Sequence, residues 1–375
     1  MGHNFLFYYA VLGLIFPFLS PVLLDAGYSK QAIGLIQSGT FVCATITPIL
    51  IGRLSDKYFS ADGLIRVLSM GMLIASGIMW WQSESPWVFL VVLMLYSGIR
   101  GPLIPLQDTL AMNAADNDAR RYARFRLMAP IGFGVCNLGA GYVLGWRGLG
   151  AFFPLLMTIG AALFVSSLFL PRQEKQNQVA REEGFWRDIN ASYCIWLTSL
   201  TLHFVCFGCY LYGFTLLLLD KGVDHKVAGI IWSLGGPAEI LVLLFSGWLF
   251  GRFKTRSLLL FALGCHLVRW SLVGLFPDPW LIAITQVLHG PGFSLFYVAV
   301  LQELHGYNKG RFQASYQGLT ATAIHGVGPI LGMTLAGVLA GYVSFENMFL
   351  WFLPIQVLSI TLYFLFPLKP PNRNS

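Results

Sequence analysis

Charge is scarce in this chain. Asp, Glu, Lys and Arg make up 11% of its 375 residues, against about a quarter in a water-soluble domain. That scarcity excludes an ordinary soluble globule, and no hydrophilic stretch is long enough to form a separate soluble domain. Disulfide chemistry is equally thin. The six cysteines lie in or at the edges of apolar runs and show no paired framework. Cys206 and Cys209 form a CxxC with His203 one turn earlier, but successive three-residue steps drift around a helix, so no metal ligand set is expected. Ser294 lies near His289 without a third orienting group or a hydrolase motif, so the chain is not expected to be an enzyme. The first apolar run, Phe5 to Leu24, has no Lys or Arg before it and no small-residue cleavage site after it, and reads as a retained span.

Apolar residues are abundant, at 56%. Windows of about 20 of them, enough to cross a hydrocarbon core roughly 30 Å thick, recur near residues 4–25, 33–52, 64–83, 86–112, 125–146, 149–170, 191–220, 226–251, 257–276, 279–305, 312–341 and 345–366. The expected fold is an all-α membrane protein of twelve transmembrane helices in two six-helix bundles. The bundles cover residues 1–170 and 191–366, with a cytoplasmic linker at 171–190 and a cytoplasmic tail at 367–375. The linker, PRQEKQNQVAREEGFWRDIN, is the longest hydrophilic segment. A Gly-Arg pair ends the second span at Gly52-Arg53 and recurs at the end of the eighth at Gly251-Arg252.

Lys and Arg predict the orientation. Eighteen fall in the joints of one side and the C-terminal tail, whereas the opposite joints hold four: Lys30, Arg147, Lys221 and Lys226. The asymmetry places both termini and the linker in the cytoplasm and the protein in the cytoplasmic, or inner, membrane. It also accounts for the net charge of +7 without nucleic acid, because the basic residues are spread over short loops instead of gathered into a patch with interleaved aromatics. The partners expected are a small solute, protons and the lipid bilayer.

Ionisable residues at membrane depth are expensive and mark function by default. Counting from the joints gives their level. Glu239 lies fifteen residues before Lys254 and Arg269 fifteen after it, so in an antiparallel pair they reach one depth, up to roughly 22 Å of helix from the loop centre. Arg269 lies nine residues before Asp278 and His289 eleven after it, which adds His289 to the same midplane layer. Asp108 and Arg126 lie nine residues either side of Asn117 and match in depth nearer the cytoplasmic side, with Arg100 two turns outward from Asp108. The layer thus holds three arginines against two carboxylates, an excess that favours an anionic solute. His203, His266 and His325 have no such depth-matched partner and read as packed histidines. The run HGPG at His289 to Gly292 removes a helix hydrogen bond and exposes backbone, as expected where a span lines a cavity.

These residues resemble a known family. The whole chain is similar to major facilitator superfamily transporters, and GRLSDKYF (Gly52 to Phe59) resembles that superfamily's signature between spans two and three. The resemblance implies a cytoplasmic gate latch at Arg53, Asp56 and Lys57, with Phe59 and Ser60 replacing the usual closing residues. Over its full length the chain resembles the lactose permease and phenylpropionate permease group of proton symporters. IPLQDTLAMN and YARFRLMAPIGFG map that group's acid–Arg pair onto Asp108 and Arg126. AGIIWSLGGPAEI, HLVRWSLVG and ITQVLHG map its acid, Arg and His onto Glu239, Arg269 and His289. Two positions depart from the lactose-permease members: Gly292 stands where they carry a Glu, and Phe133 where they carry a sugar-stacking Trp. Both departures lean toward the phenylpropionate type and away from galactosides, and the superfamily scaffold implies a monomer.

The expectation is therefore a proton-coupled symporter that takes up a small organic solute, an organic or aromatic acid or a related hydroxylated compound, by alternating access, with the proton gradient in place of a cofactor. Substrate binding falls to Asp108, Arg126, Phe133, Trp232, Glu239, Arg269 and His289, since a guanidinium fork suits a carboxylate and inward aromatics suit a ring. Proton coupling falls to Glu239, His289 or Asp108, with Glu303 a further candidate. The same architecture also permits antiport efflux of amphipathic compounds or a siderophore-like metabolite.

Overall fold

The computed structural model describes residues 1–82, 85–116, 118–172, 185–308 and 312–369. Twelve helices among them are long and apolar enough to cross a membrane, as the sequence pattern predicts. Spans one to six are Gly2–Asp25, Lys30–Ile51, Ala61–Trp81, Pro86–Ala114, Arg121–Arg147 and Leu149–Leu168. Spans seven to twelve are Ala191–Asp220, His225–Arg252, Thr255–Leu275, Pro279–Asn308, Ser315–Leu339 and Phe345–Leu365. Their starts follow local chemistry. Ser29 and Asn190 cap spans two and seven by accepting from the amides of Ala32 and Tyr193. Asp278 accepts from Trp280 and Leu281 ahead of Pro279, which needs no donor at the first helical position.

Two compact units divide the chain. One is Met1–Val179 with Val223–Ser233, the other Ala180–Gly222 with Leu234–Ser375. The first turns of span eight therefore belong to the first unit. Most of the linker lies outside the described residues.

In the first unit span one is the most enclosed helix, with 72% of its apolar window buried. It crosses span five so closely that a Cβ on Gly132 would collide with the Leu6 backbone. Its one buried amide ties three helices together: Asn4 Nδ2 donates to Ser166 Oγ at 2.8 Å, and Gln107 Nε2 donates to Asn4 Oδ1 at 2.7 Å. Away from water such bonds are obligatory, because an unmade one forfeits the full desolvation cost. In the second unit span seven is 83% buried along its apolar window, and Ser199 and Ser359 each donate a hydroxyl to the other's carbonyl across spans seven and twelve.

Several spans are broken where the site forms. Span four is interrupted between Arg100 and Leu103, at Gly101-Pro102, and span eight at Leu234. Span ten passes from an α-helix into a 3-10 turn at Gln286–Leu288 and then a π-helical turn at Pro291–Leu295. Proline removes the donor there, and π turns recur at functional sites.

Candidate solute and proton sites

In the first unit, Arg126 Nη1 donates to Asp108 Oδ1 at 2.6 Å, and the Tyr122 hydroxyl donates to the same oxygen at 2.9 Å. The depth-matched pair of the sequence is thus a direct ion pair, with each side chain about one-third exposed (31% and 33%). The Arg126 guanidinium lies 5.5 Å from the ring centroids of both Phe5 and Tyr9.

A row of rings fills another part of this unit. Trp232 and Phe133 stand 6.3 Å apart, Phe133 and Phe16 6.5 Å, and Phe16 stacks on Phe41 at 6.0 Å. At the end of the row Arg100, only 6% exposed, holds its guanidinium 5.9 Å from Phe16 and 6.0 Å from Phe41. No ion pair among the described residues involves Arg100.

The second unit holds the other cluster. Glu239 Oε1 lies 3.1 Å from His289 Nε2, and Arg269 Nη1 lies 2.9 Å from His289 Nδ1. Glu239 and Arg269 share one layer, as expected, but do not meet as the simple pair that depth alone suggests: an imidazole stands between them. Arg269 is fully buried and also donates through Nη2 to Gln286 Oε1 at 2.7 Å. Its guanidinium lies 4.5 Å from the Tyr210 ring and 4.7 Å from the Trp270 ring, arrangements in which the ring faces attract a cation. The second Glu239 oxygen accepts from Ser294 Oγ at 3.3 Å. Gln286, Tyr210 and Ser294 were not anticipated in these roles. Gln286 carried a signal, being polar and one turn from His289, whereas nothing singled Tyr210 out among the many aromatics.

His203 and His266, read as merely packed, have polar partners. His203 Nδ1 lies 3.1 Å from Gln356 Oε1, and His203 Nε2 lies 3.0 Å from His266 Nδ1. Depth matching across single loops does not reach this contact, because spans seven, nine and twelve are not successive. His325 contacts the rings of Phe204 and Tyr297. Glu303 accepts from Trp196 Nε1 at 2.8 Å and from the Tyr363 hydroxyl, so both its oxygens are engaged inside the bundle. The side chains of the gate candidates Arg53, Asp56 and Lys57 lie outside the described residues.

Comparison with known proteins gives a consistent picture. The profile of the MFS_1 like family matches residues 1–351. A probable 3-phenylpropionic acid transporter of Escherichia coli (strain K12) is 27% identical over 90% of this chain and 89% of its own length. An uncharacterised transporter, YwbF, of Bacillus subtilis (strain 168) is 26% identical over 96% of this chain and 91% of its own. Among solved structures, a point variant of the nucleoside transporter NupG superposes with a TM-score of 0.84 at 20% identity, covering 97% of this chain and 98% of that one. These relatives are transporters, in keeping with the expectation that the chain is not an enzyme.

Proposed function

The chain belongs to the MFS_1 like family of major facilitator transporters, and from that premise we propose that it imports a small aromatic carboxylate together with a proton. The observation that carries this reading is Arg100, a buried guanidinium in no ion pair among the described residues, at the end of the ring row Phe41, Phe16, Phe133 and Trp232. An aryl group has rings to lie against, and its carboxylate has a planar fork of donors to accept from. The name of the phenylpropionate relative supports the same class of solute.

Asp108 with Arg126, and Glu239 with His289 and Arg269, supply the titratable and compensating charge for alternating access. The eighteen-to-four distribution of Lys and Arg supports cytoplasmic termini in an inner membrane. The test is a panel of aryl acids, a nucleoside and a disaccharide added to de-energised cells with and without the protein, following external pH and solute uptake. We expect 3-phenylpropionate or a close aryl acid to enter with alkalinisation beyond that of cells lacking the protein. Transport of uridine with no response to any aryl acid overturns the carboxylate assignment in favour of a nucleoside carrier, and solute-driven acidification overturns uptake in favour of antiport efflux.

A further inference from the structure

A hydrogen-bond relay of fixed polarity runs through the second unit, and its protons can be assigned one group at a time. The Leu263 carbonyl only accepts, so the Gln356 amide nitrogen donates to it at 3.0 Å and Gln356 Oε1 is left as an acceptor. His203 Nδ1, 3.1 Å from that oxygen, therefore carries its hydrogen. A neutral His203 then has a bare Nε2, and His266 Nδ1 donates to it at 3.0 Å. His266 is left with a bare Nε2, which is buried and has no hydrogen-bond partner. Both imidazoles are 1% exposed. The relay thus ends on an unused base.

A glycine of span ten makes room for the ring. His266 packs against Gly292 in the π-helical turn of span ten, where any Cβ would run into its Nε2 and Cδ2. His289 is arranged differently. Arg269 only donates, so His289 Nδ1 accepts from it and Nε2 donates to Glu239. Both its ring nitrogens are occupied, and a second proton on His289 requires the guanidinium bond to break.

We propose that His266 is a proton-binding site of this protein, taking a proton at Nε2 while His203 and Gln356 hold the ring through Nδ1. The titratable or charged groups that face it are His203 from span seven, Arg269 from its own helix and His289 from span ten, whose ring centroid is 6.2 Å away. Span twelve presents Gln356, which does not titrate, and the other rings against it are Phe207 and Trp270. Every ionisable neighbour is a cation or becomes one. The cluster's carboxylate, Glu239, contacts His289 through Nε2. This rests on reading the protein as a proton-coupled carrier.

The test is histidine-selective 15N NMR of the full chain in lipid nanodiscs across a pH series, with signals assigned through His266→Gln and His289→Gln. At high pH we expect His203 and His266 to carry hydrogen on Nδ1 and His289 on Nε2. On acidification His266 becomes the first imidazolium of the three. Protonation of His289 before His266, hydrogen on His266 Nε2 at high pH, or no His266 titration down to the acid limit of folding overturns the proposal. The two readings fail separately. If His266→Gln keeps wild-type proton uptake with 3-phenylpropionate, this site falls and the transport reading stands. If the wild type moves no proton with any solute, the coupled-transport reading falls, and the NMR series alone decides His266.

Discussion

Replacing Arg100 by Gln tests the anchor for the solute's carboxylate. A hydrogen bond to a charged group contributes about 1.5–3 kcal/mol, and a guanidinium makes two parallel bonds to one carboxylate. Non-additivity keeps the combined loss near 2–4 kcal/mol, or roughly 30- to 1000-fold in Kd at 1.4 kcal/mol per tenfold. The substitution is structurally mild for a buried charge, because among the described residues no ion pair involves Arg100, so no carboxylate there loses its partner when it goes. Arg126→Gln differs in that it strips Asp108 of its 2.6 Å partner. The assay is calorimetric titration of the purified protein with 3-phenylpropionate and with its neutral amide. Arg100→Gln is expected to weaken the acid by at least 30-fold while the amide, held by the rings alone, binds as before. Wild-type affinity for the acid, or equal losses for acid and amide, refutes the assignment of Arg100 to the carboxylate.

Other substitutions probe the remaining parts of the account. Glu239→Gln keeps an oxygen for the His289 Nε2 hydrogen but cannot exchange a proton, so uphill uptake should vanish while solute exchange across vesicles persists; full accumulation by this variant contradicts a role in coupling. Gly132→Ala sets a Cβ against the Leu6 backbone and should destabilise by about 1–3 kcal/mol, as overpacking does. Gly139→Ala meets nothing within 4 Å and should gain up to about 1 kcal/mol from helix propensity, so thermal unfolding in detergent should move the two variants in opposite directions. Asn4→Ala leaves the Gln107 amide nitrogen without its acceptor, while the Ser166 hydroxyl keeps its bond to the Leu163 carbonyl, and should lower the unfolding temperature by an amount matching about 1–3 kcal/mol; an unchanged midpoint shows that water satisfies that amide instead.

Span number was legible in the sequence, because apolar run length is a one-dimensional quantity. Counting along the loops put Glu239, Arg269 and His289 at one depth, and the structure brings the three side chains together. Depth carries no azimuth, however, so the count left Glu239 facing Arg269 directly, whereas His289 stands between them. The His203–His266 contact was illegible for a related reason: its helices are separated by others in the chain, and the linking Gln356 lies 153 residues from His203. Arg100 was visible as surplus charge, but its place beside Phe16 and Phe41 was hidden among thirty phenylalanines. The break in span ten was announced by HGPG, whose backbone chemistry does not continue an α-helix, whereas span four was expected as one run over 86–112 and is interrupted at Gly101-Pro102.

The central claim is coupled movement of an aryl acid and a proton, and the most direct measurement is the accumulation of labelled 3-phenylpropionate in proteoliposomes under an imposed pH gradient, compared with protein-free liposomes that report passive entry of the weak acid. With an acidic exterior and alkaline interior, initial uptake in excess of the protein-free rate is predicted, and it should fall to that rate in the Glu239→Gln variant. Entry at the protein-free rate, or a protein-dependent exit against the same gradient, contradicts it.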